Sequence, residues 1–200
     1  MNKLNKNINQ ESATTQTAKG GQVEPLVMPF ASNGGILFSR VWAMPNKWTF
    51  TIKPIAQLLH RYKVGEGWID PFAGENSPAE ITNDIDTDRE TTYHLDALEF
   101  IEMFAANSKR GILLDPPYNK HQALIMYKNR KLRKITPLFE HAQRIIEPGG
   151  YLITFGWHTN GAGNKRGFQK IEILLVPHGG ERNDTIITVE QKMQAGLFDE

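Results

Sequence analysis

Four residues, Gly111-Ile112-Leu113-Leu114, run straight into Asp115-Pro116-Pro117-Tyr118, and nothing else in the chain constrains the fold as strongly. A short, continuous apolar run suits a strand buried on both faces, the usual state in a parallel sheet. Two consecutive prolines fix φ and remove two backbone donors, so regular pairing stops there. The strand therefore ends on Asp115. In an open parallel sheet, ligands bind outside the carboxyl ends of the strands. An α/β sheet follows, with Asp115 at its ligand-binding edge.

The flanking segments fit this frame. Thr51 is expected to cap a helix with Pro54 in its first turn. Ile55, Leu58, Leu59 and Tyr62 give that helix one apolar face, and Gly65 and Gly67 end it. Trp68 to Asp70 reads as a short strand ending on a carboxylate, Ile81 to Ile85 as a second, and Tyr93 to Asp96 as a third. A helix is expected over 97–107, with Leu98, Ile101, Phe104 and Ala105 inward. Thr136 and Pro137 open another, with Leu138, Ala142, Ile145 and Ile146 on one face and Pro148-Gly149-Gly150 after it. Tyr151 to Trp157 is a strand, and 169–176 and 185–191 form an antiparallel pair. Residues 74–80 and 87–92 are shorter than the dozen or so residues of a parallel crossover. One face of the sheet is thus expected to be thinly covered, and the scattered apolar residues of 20–49 are candidates to fill it.

The chain has 200 residues, within the ~100–200 of one domain. It reads as a polar, disordered tail over 1–19, a single domain over 20–192 with 20–49 as an N-terminal extension, and a C-terminal tail over 193–200. Cysteine is absent, which excludes disulfide scaffolds, thiolate zinc and cysteine nucleophiles. The histidines show no ligand spacing, so no metal is expected. No apolar run approaches the ~20 residues of a membrane span, and the N-terminus lacks the apolar core of a secretory signal. A cytoplasmic location is expected. The net charge of +1 makes any nucleic-acid partner a matter of local patches.

Asp115-Pro116-Pro117-Tyr118 has a specific chemical use. The exocyclic amine of a base is a poor nucleophile because its lone pair is delocalised into the ring. Two acceptors that hold both amine hydrogens favour the pyramidal geometry in which the lone pair is free. The Asp115 carboxylate and the Pro116 carbonyl can be those acceptors, with Pro117 stiffening the turn. Tyr118 offers a flat face to a base taken out of its stack, worth roughly 1–3 kcal/mol.

This tetrapeptide resembles motif IV of the S-adenosylmethionine-dependent amino-methyltransferases, chiefly the DNA adenine-N6 enzymes of small phages and prophages. Asp70-Pro71-Phe72-Ala73-Gly74 resembles their motif I, the turn beneath the cofactor's methionine part. Thr51 and Lys53, in Thr51-Ile52-Lys53-Pro54, resemble their motif X. Asp84 takes the place of the acid that binds the ribose hydroxyls, and Asp96-Ala97 matches the position contacting the cofactor's adenine. Phe155-Gly156-Trp157 and Gly161 to Phe168 are also similar. The resemblance covers about 50–191. It implies a Rossmann-like class I methyltransferase fold, S-adenosylmethionine as cofactor, and methylation of adenine N6 in DNA by base flipping. The chain departs from the pattern after Gly74, where Glu75-Asn76 replaces a second glycine. The motif leaves cytosine N4 or an RNA base open as the target. The altered turn leaves open a non-catalytic adaptor.

Lys128, Arg130, Lys131, Arg133 and Lys134 follow the tetrapeptide and are placed to touch flanking phosphates; Lys165 and Arg166 form a second patch. Trp157 is expected in the core, with stacking beside a flipped base as the alternative. Gln194, Leu197 and Phe198, in Gln194-Ala195-Gly196-Leu197-Phe198, resemble the peptide by which bacterial replication proteins dock on the sliding clamp.

Overall fold

The computed structural model describes residues 35–117, 135–180 and 182–194. Its strands are β1 (Leu37–Arg40), β2 (Trp68–Asp70), β3 (Ile81–Thr82), β4 (Lys109–Leu114), β5 (Ile146–Gly156), β6 (Phe168–Val176) and β7 (Thr185–Lys192). Its helices are α1 (Lys53–Arg61), α2 (Ala97–Glu102) and α3 (Thr136–Ile145). The strands form one sheet in the order β1-β6-β7-β5-β4-β2-β3. Only β7 runs against its neighbours β5 and β6; the other pairings are parallel.

Strand alternation splits the core between the two faces of this sheet. Trp68, Leu113, Ile153, Phe155, Leu174 and Ile187 pack under α1 with Ile55 and Leu58. Ile69, Ile112, Leu114 and Leu152 pack on the opposite face with Phe100 and Ile101 of α2 and with Leu138, Ala142 and Ile145 of α3. A nine-residue helix is marginal alone. Burying Ile55 and Leu58 completely contributes about 1.5–3 kcal/mol each, so packing rather than propensity holds α1. Gly111 has no room for a side chain, because an added Cβ would lie 2.5 Å from the Trp68 ring.

Several expectations need correction. Thr51 does not cap α1: it ends a 3-10 turn (Thr49–Thr51), Ile52 is the N-cap residue without a side-chain bond, and the Thr51 hydroxyl donates to the Trp48 carbonyl. The second helix stops at Glu102 rather than 107, and it buries Phe100 with Ile101 while Ala105 is exposed. β3 is two residues long; beyond it only an Asn83–Tyr93 bridge continues the parallel pairing. Pro148-Gly149-Gly150 lies inside β5, which starts directly after α3. β1 was not anticipated as a strand. It pairs with β6, and Val41 and Ala43 beyond it pack against the α1-side cluster, where α1 is the one helix among the described residues.

The connections on the β3 side contain no helix between 71 and 80, as their lengths foretell. Polar bonds hold them instead. Asn83 is fully buried; its amide donates to the Pro71 and Leu95 carbonyls (3.1 and 3.0 Å) and accepts from the Leu95 N–H (2.9 Å).

Candidate functional site

Chain order reverses across β2 and β4: one crossover leads outward to β3, the next returns to β4 on the other side. Ligands bind at such switch points. The carboxyl ends of these two strands are Asp70 and the Leu114–Asp115 step.

Asp70 organises the turn after β2. Its Oδ1 accepts the Phe72 N–H (2.9 Å), an Asx turn, and its Oδ2 accepts the Ser77 hydroxyl (2.7 Å). It is wholly buried. Burial pushes its carboxyl from 3.8 up to about 7; the bonds from Ser77 and Phe72 oppose the rise, and the charges of Asp115 and Asp84 add to it. Ala73 donates its N–H to the Asn83 carbonyl (2.9 Å). Gly74 takes a left-handed φ of +52°, and its N–H reaches Asp84 Oδ2 at 3.0 Å. The other oxygen of Asp84 accepts the Asp86 N–H at 2.8 Å. Burial raises the Asp84 carboxyl as well.

Ala73, Gly74, Asp84 and Asp86 border a cleft of about 380 Å³, within the range of small-molecule sites. One wall is Lys47 to Phe50, on the approach to α1; the floor is Phe72-Ala73-Gly74-Glu75; Asp84, Asp86, Arg89 and Asp115 complete it. Four carboxylates thus face two cations. Arg89 is already spent on Glu75 (2.7 Å) and Asp86 (3.4 Å). A cleft with this surplus of negative charge favours a cation. A dinucleotide's pyrophosphate sits on a helix N-terminus after the first strand, and β2 has no such helix behind it.

Of the residues singled out by sequence, Phe72, Ala73, Gly74, Asp84 and Asp115 share this cleft, while Thr51, Lys53, Asp70, Pro71, Asp96 and Ala97 are not in its lining. Thr51 and Lys53 are exposed, and Asp70 and Pro71 lie buried. The Asp96 side chain caps α2 by accepting the Leu98 N–H at 3.0 Å. Pro116 and Pro117 follow β4, partly buried. Lys47, Trp48, Thr49, Phe50, Asp86 and Arg89 were missed; no motif marks them, and only the aromatic at 48 beside a lysine hints at a wall. Lys165 is exposed, whereas Arg166 pairs with Glu140 at 2.7 Å. Trp157 is not core: it is 39% exposed just past β5. Tyr118, Lys128, Arg130, Lys131, Arg133, Lys134, Leu197 and Phe198, and the stretches 1–34 and 195–200, lie outside the described residues. Among the described residues, no cluster of side chains could hold a metal ion, and no helix is long and apolar enough to cross a membrane.

The core β3-β2-β4-β5-β7-β6, with β7 alone reversed, is the sheet of the Rossmann-like class I methyltransferase fold. No family model and no curated protein matches the chain. Among solved structures it is similar to the 1,6-didemethyltoxoflavin-N1-methyltransferase of Burkholderia thailandensis, determined with bound 1,6-didemethyltoxoflavin and S-adenosylhomocysteine. That match has 10% identity over 70% of this chain and 76% of that one, with a TM-score of 0.48. TrmN of Thermus thermophilus matches at 18% identity over 71% and 49% of the two chains, with a TM-score of 0.47. A class I S-adenosylmethionine-dependent methyltransferase of Listeria monocytogenes matches at 15% over 72% and 60%, with a TM-score of 0.46.

Proposed function

We propose that this protein is an S-adenosylmethionine-dependent methyltransferase that modifies the exocyclic N6 amine of adenine in DNA. One observation carries the reading. Asp115, the first residue of the Asp-Pro-Pro-Tyr run, lines the same acid-rich cleft as the Phe72-Ala73-Gly74 turn. The residues present suit the cofactor: the carboxylates not paired with Arg89, Asp84 and Asp115, would complement a sulfonium and an ammonium, and the aromatic residues Trp48, Phe50 and Phe72 in the lining suit an adenine ring. S-adenosylmethionine bound there would supply an electrophilic methyl group.

The chain's own part is positioning. The Asp115 carboxylate and the Pro116 carbonyl each accept one amine hydrogen, which turns the nitrogen lone pair toward the cleft. As the N–C bond forms and the S–C bond breaks, Asp115 is placed to accept the proton the amine must lose. Alignment of this kind is worth a large part of such a barrier. The same proposal gives Lys165 and the lysines and arginines at 128–134 phosphate contacts, and docks a sliding clamp through Gln194, Leu197 and Phe198.

The test is incubation with methyl-labelled S-adenosylmethionine and either DNA or RNA, followed by nucleoside mass spectrometry. Labelled N6-methyladenine from DNA is expected. Label in N4-methylcytosine, or only in RNA, would overturn the substrate and keep the enzyme class; no label in either, with no binding of S-adenosylhomocysteine, would overturn both.

A further inference from the structure

The connection from β5 to β6 has no α-helix, and side-chain bonds tie it down. Glu190 of β7 is buried, and its two oxygens accept the Ala162 and Gly163 N–H groups at 2.7 and 3.1 Å. Gly161 lies against that carboxylate so closely that a Cβ would sit 2.0 Å from Oε2. The Lys170 ammonium holds the Thr159 carbonyl. Arg166 bridges Glu140 (2.7 Å) and the Ala162 carbonyl (3.1 Å) with its guanidinium over the Phe139 ring. Burying a carboxylate is costly unless its oxygens are satisfied, and here two loop amides satisfy it. Substituting Glu190 therefore frees the loop rather than the sheet.

At the head of this pinned loop stands Trp157. Phe155, two residues earlier, is buried at 5% exposure, whereas Trp157 is 39% exposed. The register pairs Leu114 with Thr154. Asp115 is thus one residue, and Trp157 three, beyond a matched pair on adjacent strands, which are about 4.8 Å apart. Asp115 keeps the parity of Leu113, on the α1 side of the sheet, and Trp157 lies in the bend that follows β5, partly exposed. Lys165 is exposed on the 3-10 turn Asn164–Arg166 farther along.

We propose that the β5–β6 loop is a preformed platform for an unstacked nucleobase of a DNA strand. Trp157 is its stacking surface, Lys165 its phosphate contact and Glu190 the residue that positions it. This rests on the reading of Asp115 as the amine-holding group, but it concerns binding and can fail separately. A preorganised aromatic surface spares the ordering cost that a loose loop would add to binding.

The experiment titrates a short single-stranded DNA carrying one 2-aminopurine into the full chain, with S-adenosylhomocysteine binding measured in parallel. Stacking on Trp157 quenches the 2-aminopurine. Trp157→Ala should remove that quench and weaken DNA binding roughly 5- to 150-fold. Trp157→Phe should restore most of the affinity, and both variants should bind S-adenosylhomocysteine as the wild type does. Glu190→Gln places an amide against two N–H groups; it should weaken DNA binding with the cofactor analogue unaffected. Wild-type DNA affinity and quench in Trp157→Ala would overturn the platform. Equal loss of both ligands in Glu190→Gln would overturn the positioning role. Tighter binding of the same sequence as RNA would overturn DNA as the occupant.

Discussion

Asp70 is the group whose removal says most about this site, because its carboxyl is wholly buried and titrates near 7. In the unfolded chain it titrates near 3.8, so between those values the folded protein binds the proton and the unfolded chain does not. Stability from this group is complete below pH 4 and is lost as pH rises through 7. The rise from 3.8 to about 7 corresponds to a stability difference on the order of 4 kcal/mol. Asp70→Asn removes the titration while keeping an oxygen for the Phe72 N–H; Ser77 can rotate to accept from the amide. Urea unfolding of both proteins from pH 4 to 8 is the assay. The variant should gain about 4 kcal/mol on the wild type across that range, with most of the gain between pH 5 and 7. A difference that stays flat across the range would mean that Asp70 is ionised throughout and that burial does not govern its proton.

Two further substitutions separate chemistry from packing. Asp115→Ala should abolish methyl transfer while leaving S-adenosylhomocysteine affinity within a few-fold; loss of that affinity, read by calorimetry, would move Asp115 from the amine to the cofactor. Gly111→Ala drives a methyl into the buried Trp68 ring. It should cost about 1–3 kcal/mol, read as a lower urea midpoint with an unchanged slope, and an unchanged midpoint would show that the ring has room to give.

The interior strands were legible because burial on both faces leaves uninterrupted apolar runs, as at Ile112 to Leu114 and Leu152 to Phe155. The β6–β7 pair was legible from two β-branched runs either side of a Gly-rich turn. β1 was not, for a reason visible in its neighbours. Ile36, Phe38, Trp42 and Met44 are apolar yet exposed, whereas Leu37, Val41 and Ala43 are apolar and half-buried. Both sides of the strand read alike, so the period of two vanishes. Trp157 was misjudged on the same grounds: it ends an apolar run, and only the bend after Gly156 turns it out. In the site, Phe72, Ala73, Gly74, Asp84 and Asp115 line one cleft because turns such as Asp70-Pro71-Phe72 are local, whereas Thr51, Lys53, Asp70, Pro71, Asp96 and Ala97 do not line it. The wall at Lys47 to Phe50 is brought in by tertiary packing of α1, with Phe50 edge-on to Phe155 at 5.3 Å, and a local pattern carries no trace of that.

The helix-poor side of the sheet raises the question of what keeps the cleft floor in place, and Asn83 offers the means to answer it. An ordinary crossover helix would fix the turn after β2 by apolar burial. Here the backbone of Asn83 pairs with Asp70 and Ala73, and its side chain pairs with Pro71 and Leu95, all within 3.1 Å. Asn83→Ala orphans two carbonyls and one N–H inside the protein, at about 1–3 kcal/mol for each group left without water or a partner. A loss of at least about 3 kcal/mol is expected. Leu58→Ala, on α1 and away from the cleft lining, should cost a similar 2–5 kcal/mol through its cavity. The pair therefore tests place rather than stability. If the polar bonds hold the floor, Asn83→Ala weakens S-adenosylhomocysteine binding while Leu58→Ala, matched in unfolding free energy, does not. Equal losses from both would mean that the floor follows global stability, and the buried amide would then be one more satisfied polar group rather than the substitute for a missing helix.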